Sequence, residues 1–285
     1  MNYTLSHRYP RKRAFITGAA SGLGKALATH LARDGWTLGL ADVNLENLQR
    51  IVVEIREAGG IPHLHHFDVA DYTSFRDQAE TFLNAHDGID LLFNNAGVGD
   101  GGLFEEYSIE NYEWMVRVNQ MSVIYGCHIF IPAFKKQRSG HILNTASIAA
   151  VTCAPTMGAY NLTKAAVVAI SETLYGELYD YNVQVSCIMP SYFKTNIAQA
   201  SRGGELVRKS TQYLLDKSNL EASVVADEIL IRAAKNELYL FLPSKARNMA
   251  LMRRLAPMYF RKHVKDSFLD AMRRISKKLK GNTKT

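Results

Sequence analysis

The chain has 285 residues, of which 47% are hydrophobic and 21% charged, and it contains only 7 prolines. This composition excludes a disordered polymer and supplies enough apolar side chains for one large domain or two small ones. No apolar run is long enough to span a bilayer, and the basic N-terminus lacks the apolar region of a signal peptide. The 3 cysteines are widely spaced, so we expect reduced thiols and a cytoplasmic protein.

Charge is distributed unevenly along the chain. Residues 244–285 contain 13 Lys and Arg against 2 Asp and Glu, a net charge of +11, whereas the whole chain carries +7. The difference leaves −4 on residues 1–243. We therefore predict a mildly acidic main domain over 1–243 and a basic helical extension over 244–285.

Short aliphatic and β-branched runs alternate with longer segments of helical periodicity. The predicted helices include 45–58, 158–180 and a long one over 109–137, in which Pro132 is the candidate for a break. Near-continuous apolar strands in such alternation form parallel sheets covered on both faces. We predict an α/β fold with a doubly wound sheet of about seven parallel strands, which binds ligands at the carboxyl ends of its strands. The predicted strands are 13–17, 36–41, 61–67, 89–93, 141–145, 183–189 and 238–242.

The turn after the first predicted strand is rich in glycine. Residues 17–24 read TGAASGLG, a TGxxxGxG pattern. Glycines let the backbone turn tightly and approach a pyrophosphate, which the amides of the next helix then bind. Glycine-rich turns also simply end strands, but this one lies between a strand and a helix, which favours a dinucleotide site. The expected contacts are Gly18, Ser21, Gly22, Leu23 and Gly24.

Asp42 stands at the end of the second strand, 18 positions after Gly24. A carboxylate there accepts hydrogen bonds from the ribose hydroxyls of an adenosine and repels a 2′-phosphate. No Lys or Arg lies in Ala19–Ser21 or directly after Asp42 to bind such a phosphate. The sequence favours NAD over NADP, although an aspartate in this position would also serve as an ordinary helix cap.

Tyr160 and Lys164 are four residues apart and share one face of a predicted helix. Because a nearby cation stabilises a phenolate, we expect Lys164 to lower the pKa of Tyr160 from about 10 toward about 7, where a general acid–base works best. Ser147 lies 13 positions upstream. Taken alone, a Tyr/Lys pair is more often an exposed surface pair, so the other motifs decide its meaning.

With these motifs in order, residues 11–243 resemble the short-chain dehydrogenase/reductase family in its single-domain form. Residues 94–97, Asn-Asn-Ala-Gly, match the family motif that supports the central sheet beside the cofactor. Asp68-Val69 resembles the adenine contact, and Pro190 with Thr195 matches the stretch near the nicotinamide. The resemblance implies a Rossmann-type sheet. It also implies cofactor contacts at Gly18, Ser21, Gly22, Leu23, Gly24, Asp42, Asp68, Val69, Asn95, Ala96, Gly97, Tyr160, Lys164, Pro190 and Thr195.

The resemblance further implies four catalytic residues and no metal. Tyr160 would exchange a proton with an alcohol or ketone oxygen, to which Ser147 would hydrogen-bond. Lys164 would hold the nicotinamide ribose, and Asn119 would hold a water that connects Lys164 to solvent. Taken singly, Ser147 and Asn119 would also fit ordinary hydrogen bonding at the ends of elements.

Three segments, 98–107, 148–158 and 191–215, should line the substrate side. Few fixed charges lie in the first two, which indicates a nonpolar alcohol or ketone of lipid, steroid-like or aromatic type. The alternative is that their apolar side chains pack a lid against the core. These side chains are Leu103, Phe104, Met157, Tyr192, Phe193, Tyr213 and Leu214.

The basic extension carries apolar residues at helical spacing: Val264, Phe268, Ala271, Met272, Ile275 and Leu279. Such a helix either packs on the main domain or a partner subunit, or lies on an anionic membrane surface. Specific nucleic-acid binding is not expected, because no base-reading motif accompanies the charge. The resemblance implies a homodimer or homotetramer.

The leading hypothesis is therefore an NAD-dependent dehydrogenase for a nonpolar secondary alcohol. The alternatives are an NADP-dependent carbonyl reductase and a non-catalytic NAD-binding sensor or scaffold. The presence of Ser147, Tyr160 and Lys164 together argues against the last of these.

Overall fold

The computed structural model of the chain describes residues 4–195, 197, 201–202, 212–213, 215 and 217–281, without the side chains of residues 272 and 275–281. Seven parallel strands form one sheet in the order β3-β2-β1-β4-β5-β6-β7, which confirms the predicted fold class. The chain moves outward from β1 to β3 and then crosses to β4, so the ends of β1 and β4 border the crevice where doubly wound sheets bind ligands. The strands are β1 Arg13–Thr17, β2 Thr37–Asp42, β3 Ile61–His66, β4 Leu91–Asn94, β5 Gly140–Thr145, β6 Val183–Pro190 and β7 Tyr239–Leu242.

Helices cover both faces of this sheet. Successive side chains along each strand point to opposite faces, where they join two different apolar clusters. Ala14 and Ile16 of β1 join the cluster with α2, α3 and α9, whereas Phe15 joins the cluster with α4, α6 and α8. The helices are α1 Thr4–Arg8, α2 Gly22–Ala32, α3 Leu45–Glu57, α4 Tyr72–His86, α5 Ile109–Val116, α6 Ser122–Gln137, α7 Ala149–Thr152, α8 Gly158–Glu177, α9 Ala222–Ala233, α10 Arg247–Leu255 and α11 Pro257–Gly281. Short 3₁₀ turns span Tyr179–Tyr181 and Ser244–Ala246.

The long helical region predicted over 109–137 is interrupted, but not at Pro132. Pro132 lies inside α6 on its exposed side, where water can satisfy the carbonyl that loses its partner. The interruption is instead a π-helical turn, Arg117–Met121, between α5 and α6. Such turns insert an extra residue into a helix and are frequent at functional sites. This one contains Asn119.

The C-terminal extension folds back onto the main domain. Phe260 and Val264 of α11 are buried in the same apolar cluster as α4, α6 and α8. Phe268 and Ala271 are half-buried on the same face, while the side chains of Met272, Ile275 and Leu279 lie outside the described residues. Within the described part of the chain, no helix is both long enough and apolar enough to cross a membrane.

Candidate active site

The glycine-rich turn after β1 packs tightly against the segment that follows β4. Gly18 has a φ of +66°, in the left-handed region that favours glycine. A Cβ on Gly18 would approach the Cα of Ala96 to 2.9 Å, and one on Gly24 would overlap the carbonyl oxygen of Gly18. The glycines therefore bring two loops together at the carboxyl edge of the sheet, in addition to any room they leave for a ligand.

Helix α2 begins at Gly22 without a side-chain cap. Ser21 occupies the N-cap position in an extended conformation, and its hydroxyl makes no capping hydrogen bond. The first-turn amides of α2 are thus left to another acceptor, and the helix dipole favours an anion there. Leu23, by contrast, is buried in the core cluster of this face. This helix start suits a pyrophosphate.

Asp42 ends β2 with its carboxylate beside the glycine-rich turn. Oδ2 accepts a hydrogen bond from the Ala20 amide at 3.0 Å, and Oδ1 accepts one from the Asn44 amide at 2.9 Å. The cap of α3 is Asn44, whose Oδ1 accepts from the Asn47 amide at 2.9 Å. The alternative that Asp42 is the helix cap is therefore wrong.

Asp68 and Val69 follow β3 next to this carboxylate. The Phe67 amide donates to the carbonyl oxygen of Asp42 at 3.3 Å, which joins the two strand ends. Val69 is buried, whereas Asp68 is exposed and accepts from the Ala70 amide at 2.9 Å. An apolar side chain and a carboxylate therefore stand near Asp42 on the same edge of the sheet.

Thr17 ties the Asn94–Gly97 segment to β1, a role that the sequence analysis missed. Its hydroxyl accepts from the amides of Asn95 and Ala96 at 2.9 and 3.0 Å and donates to the Phe93 carbonyl at 3.2 Å. The Asn95 amide group donates to the Thr17 carbonyl at 3.0 Å. The signal was available, since this threonine opens the TGxxxGxG pattern.

The side chains of Ser147 and Tyr160 lie close together, where β5 ends and α8 begins. Ser147 is buried, accepts from the Ala149 amide at 3.1 Å and lies 3.4 Å from the Pro190 carbonyl. The Ser147 side chain is close enough to the Tyr160 phenol to lower its pKa. A substrate oxygen at this point would contact a pair of hydroxyl groups that can donate or accept a proton.

Lys164 is buried one helical turn beyond Tyr160. Its ammonium donates to the Thr145 carbonyl at 2.8 Å and lies 5.7 Å from the centroid of the Tyr160 ring. A Cβ on Gly97 would lie 3.4 Å from this Nζ and 3.2 Å from Oδ1 of Asn119. The predicted residues Gly97, Asn119, Tyr160 and Lys164 are thus brought together. The Thr145 carbonyl is an additional partner that the sequence did not reveal.

Burial sets the proton affinities of this pair. It raises the pKa of Tyr160 to about 12, against the opposing effect of Ser147 and with a further increase from Tyr192. It lowers the pKa of Lys164 to about 8, with Cys187 acting in the opposite sense. The prediction that Lys164 brings the Tyr160 pKa toward about 7 is wrong, because burial dominates the pKa of the phenol and the Lys164 ammonium donates instead to the Thr145 carbonyl.

Asn119 is fully buried in the π-helical turn and holds Val98. Its Nδ2 donates to the Val98 carbonyl at 2.9 Å, and its Oδ1 accepts from the Val98 amide at 2.7 Å. Both polar ends of the side chain therefore fix the start of the 98–107 segment. The water path predicted for Asn119 stays a prediction.

Pro190 ends β6, and Thr195 lies in the segment that follows it, at the same carboxyl edge of the sheet. The Pro190 carbonyl accepts from the Ile148 amide at 2.9 Å, which joins the end of β6 to the segment after β5. A Cβ on Gly22 would lie 3.8 Å from Cβ of Thr195, so the segment after β6 faces the glycine-rich turn. All the residues predicted for the cofactor site lie in the described part of the chain.

The predicted substrate segments differ in where they lie. The 98–107 and 148–158 segments are joined by a hydrogen bond from the Gly102 amide to the Thr156 carbonyl at 2.7 Å, and Phe104 is 75% exposed. Phe193 is half-buried and packs against the apolar cluster of α2, α3 and α9, which fits the alternative that these side chains pack on the core; its place on the substrate side stays a prediction. Leu214 lies outside the described residues.

Asp100 was missed by the sequence analysis. It is buried and accepts hydrogen bonds from the Tyr107 hydroxyl at 2.8 Å, the Ser201 hydroxyl at 2.6 Å and the Arg202 amide at 3.1 Å. One carboxylate therefore links the 98–107 segment to the segment that follows β6. In the sequence, the only local feature that marks Asp100 is its position among glycines.

Two arginines of the C-terminal extension bind the carbonyls of α7. Arg253 donates to the carbonyls of Ala150 at 2.7 Å and Val151 at 3.1 Å. Arg261 donates to those of Thr152 at 2.7 Å and Val151 at 2.8 Å. These are the last carbonyls of a four-residue helix that begins two residues after Ser147. The extension thus supports the segment that carries Ser147.

The chain is similar to known proteins over most of its length. A family model described as short chain dehydrogenase matches residues 12–205. Cyclohexanol dehydrogenase from Acinetobacter sp. (strain SE19) is 31% identical over 227 residues, which cover 79% of this chain and 90% of that protein.

Two solved structures share the fold. A short-chain dehydrogenase/reductase from Burkholderia phymatum in complex with NAD has 34% identity and a TM-score of 0.81, covering 85% of this chain and 92% of the other. An alcohol dehydrogenase from the archaeon Thermococcus sibiricus complexed with 5-hydroxy-NADP has 28% identity and a TM-score of 0.71, covering 81% and 95%. The fold, the motif order and a family match over more than half of the sequence agree, and the chain belongs to the short-chain dehydrogenase family of oxidoreductases.

Proposed function

We propose that the protein is an NAD-dependent dehydrogenase that interconverts a nonpolar secondary alcohol and its ketone. The observation that carries this proposal is the Ser147–Tyr160 hydroxyl pair beside a buried Lys164, at the sheet edge that also carries the glycine-rich turn and Asp42. Hydride exchange between an alcohol and a dinucleotide needs both a proton-transfer group and a dinucleotide-binding site, and both lie on one edge of the sheet.

Each part of the cofactor has a matching set of protein groups on this edge. The uncapped start of α2 suits the pyrophosphate, the Asp42 carboxylate the adenosine ribose, and the Asp68–Val69 pair the adenine. Lys164 would donate to the nicotinamide ribose from its buried position. The remaining predicted contacts are Asn95, Ala96, Gly97, Tyr160, Pro190 and Thr195.

In the direction of alcohol oxidation, the nicotinamide, when bound, would supply the hydride acceptor for the alcohol carbon. Tyr160 takes the hydroxyl proton as the carbon–hydrogen bond breaks, and it returns that proton when the ketone is reduced. Ser147 donates a hydrogen bond to the substrate oxygen and stabilises its developing negative charge. The Lys164 cation favours the phenolate form of Tyr160, against the burial that favours the phenol.

Support for NAD comes from the surroundings of Asp42. A 2′-phosphate would be repelled by this carboxylate. Lys25 of α2, a cation that could bind such a phosphate, instead forms an ion pair with Glu54 at 2.7 Å. An NADP-dependent carbonyl reductase is the second candidate, favoured by the likeness to the alcohol dehydrogenase complexed with 5-hydroxy-NADP. Fluorescence titration with NADH and NADPH separates the two, and tighter NADPH binding would overturn the NAD proposal.

Support for a nonpolar substrate comes from the exposed side chains of Leu103 and Phe104, in the segment that is hydrogen-bonded to residues 148–158, and from the likeness to cyclohexanol dehydrogenase. The direct test is a panel of cyclic and linear alcohols and ketones, assayed with NAD and NADP by the absorbance of the reduced cofactor. We expect turnover of cyclic secondary alcohols with NAD. Binding of NADH without turnover across the panel would instead favour the sensor or scaffold.

A further inference from the structure

The corner between α10 and α11 exposes large apolar side chains. Leu255, the last residue of α10, is 80% exposed, and Met258 and Tyr259 in the first turn of α11 are 79% and 65% exposed. Leu251, one turn before Leu255 on the same face of α10, is 43% exposed. Exposed apolar side chains grouped at one corner mark an interaction site more often than apolar residues scattered singly over a surface do.

The contacts of the extension with the main domain determine which side faces outward. Phe260 and Val264 are buried, and Arg253 and Arg261 are bound to the carbonyls of α7. Since one face of α11 is held in this way, the opposite face points away from the domain. Met258, Lys262, Lys265 and Leu269, spaced by four, three and four residues, lie on that outward face.

Basic side chains flank the apolar corner. Arg254, Lys262 and Lys265 are exposed, and the two acidic residues of the extension, Asp266 and Asp270, form ion pairs with Lys265 at 3.4 Å and Arg273 at 3.3 Å. Apolar side chains that enter an interface, flanked by cations, are the features that bind a peripheral helix to anionic lipid. A second copy would present the same positive patch across a symmetric interface and would be repelled.

We propose that the α10–α11 corner, defined by Leu251, Leu255, Met258, Tyr259 and the cations Arg254 and Lys262, binds the surface of an anionic membrane. Leu255, Met258 and Tyr259 enter the boundary between headgroups and acyl chains, and the cations contact lipid phosphates. This proposal does not depend on the reaction proposed above, and its test uses binding alone.

The test is co-sedimentation of the full-length protein with vesicles of phosphatidylcholine, with and without phosphatidylglycerol. We expect binding to the anionic vesicles that weakens with salt. Leu255→Gln/Met258→Gln should weaken that binding about tenfold or more, because the apolar contacts are lost. Tyr179→Gln is the apolar control, since Tyr179 is 75% exposed on another part of the surface.

The charge contribution has its own matched pair. Arg254→Gln/Lys262→Gln should reduce binding to anionic vesicles, whereas Lys136→Gln/Lys235→Gln, with the same change of net charge, should not. NADH titration of every variant checks that it is folded. Absence of wild-type binding to anionic vesicles, equal binding to neutral ones, or equal loss in corner and control variants would overturn the proposal. So would dissociation of a lipid-free oligomer by the corner variants without any effect on lipid binding.

Discussion

Burial acts on Tyr160 and Lys164 in the same direction, because it stabilises the uncharged form of each. The pKa of Tyr160 is raised to about 12 and that of Lys164 is lowered to about 8. At neutral pH the tyrosine is therefore a phenol, ready to donate a proton to a ketone. Oxidation of an alcohol requires the phenolate, which becomes populated only as pH rises.

This difference predicts different pH dependences for the two directions. The kcat/KM for alcohol oxidation should rise from pH 7 to about pH 8, above which Lys164 loses the charge that favours the phenolate, whereas that for ketone reduction should not fall in this range. Initial rates across this range, with saturating cofactor, measure both profiles. A plateau of oxidation below pH 8 would show that the phenolate forms more readily than burial of Tyr160 indicates.

Asp42 makes a second prediction at this scale. Asp42→Ala should weaken NADH binding by roughly 10- to 100-fold, because a charged acceptor of two ribose hydroxyls is lost. NADPH binding should weaken far less or improve, since the repulsion of a 2′-phosphate is removed as well. Fluorescence titration measures both, with Asp180→Ala as the control for loss of an exposed carboxylate away from the cofactor site; equal losses for both cofactors would contradict the assigned role.

Among the elements, α7 depends most on distant parts of the chain. Its carbonyls are bound by Arg253 and Arg261, more than a hundred residues away. No local pattern reveals such a contact, because its acceptors are backbone atoms. The basic extension was predicted from charge alone, and its connection with the segment that carries Ser147 emerged only from the folded structure.

Arg261→Gln should therefore loosen α7 and disturb Ser147 while leaving the cofactor site intact. We expect kcat/KM to fall about tenfold, a change that corresponds to the loss of one charge-assisted hydrogen bond, with NADH affinity unchanged. Lys262→Gln, the adjacent outward-facing cation, is the control. A parallel loss of NADH affinity in Arg261→Gln would indicate general unfolding instead.

The same contrast between local and distant causes explains which elements were predictable. Strand β1 was predicted at residues 13–17, as found, because all five residues are buried and apolar side chains dominate. The π-helical turn around Asn119 was not predicted, since its sequence fits an α-helix equally well. What distinguishes it is the tertiary hydrogen bonding of Asn119 to Val98.

For the whole molecule, buried histidines link stability to pH. His141 is fully buried with its pKa lowered to about 3, and burial also lowers the pKa values of His63, His65 and His86. In the unfolded chain these groups titrate near ~6.5. Below that pH these histidines bind more protons in the unfolded state than in the folded state. The free energy of unfolding therefore falls as pH decreases.

His141 alone should account for a loss of about 2 kcal/mol between pH 6.5 and pH 5. Thermal unfolding at several pH values measures the slope. His141→Gln should flatten it, even if that variant is less stable at pH 7. His263→Gln, at an exposed position, should retain the wild-type slope, and an unchanged slope in His141→Gln would contradict the linkage.

At this scale the sequence was informative because the family motifs lie in one order along the chain, and the parallel sheet brings their ends to one edge. The positions of Gly18, Asp42, Ser147 and Tyr160 could be predicted in this way. The pKa of Tyr160 could not be predicted, because burial, which dominates it, is a property of the whole packed domain.

The proposed dehydrogenase activity is tested most directly by Tyr160→Phe. This substitution removes the proton-transfer group and leaves the ring, so turnover should fall by at least roughly 100-fold, while NADH binding stays close to wild type. Tyr175→Phe, on an exposed position of the same helix, should retain full activity. Turnover of Tyr160→Phe at the wild-type rate would contradict the account.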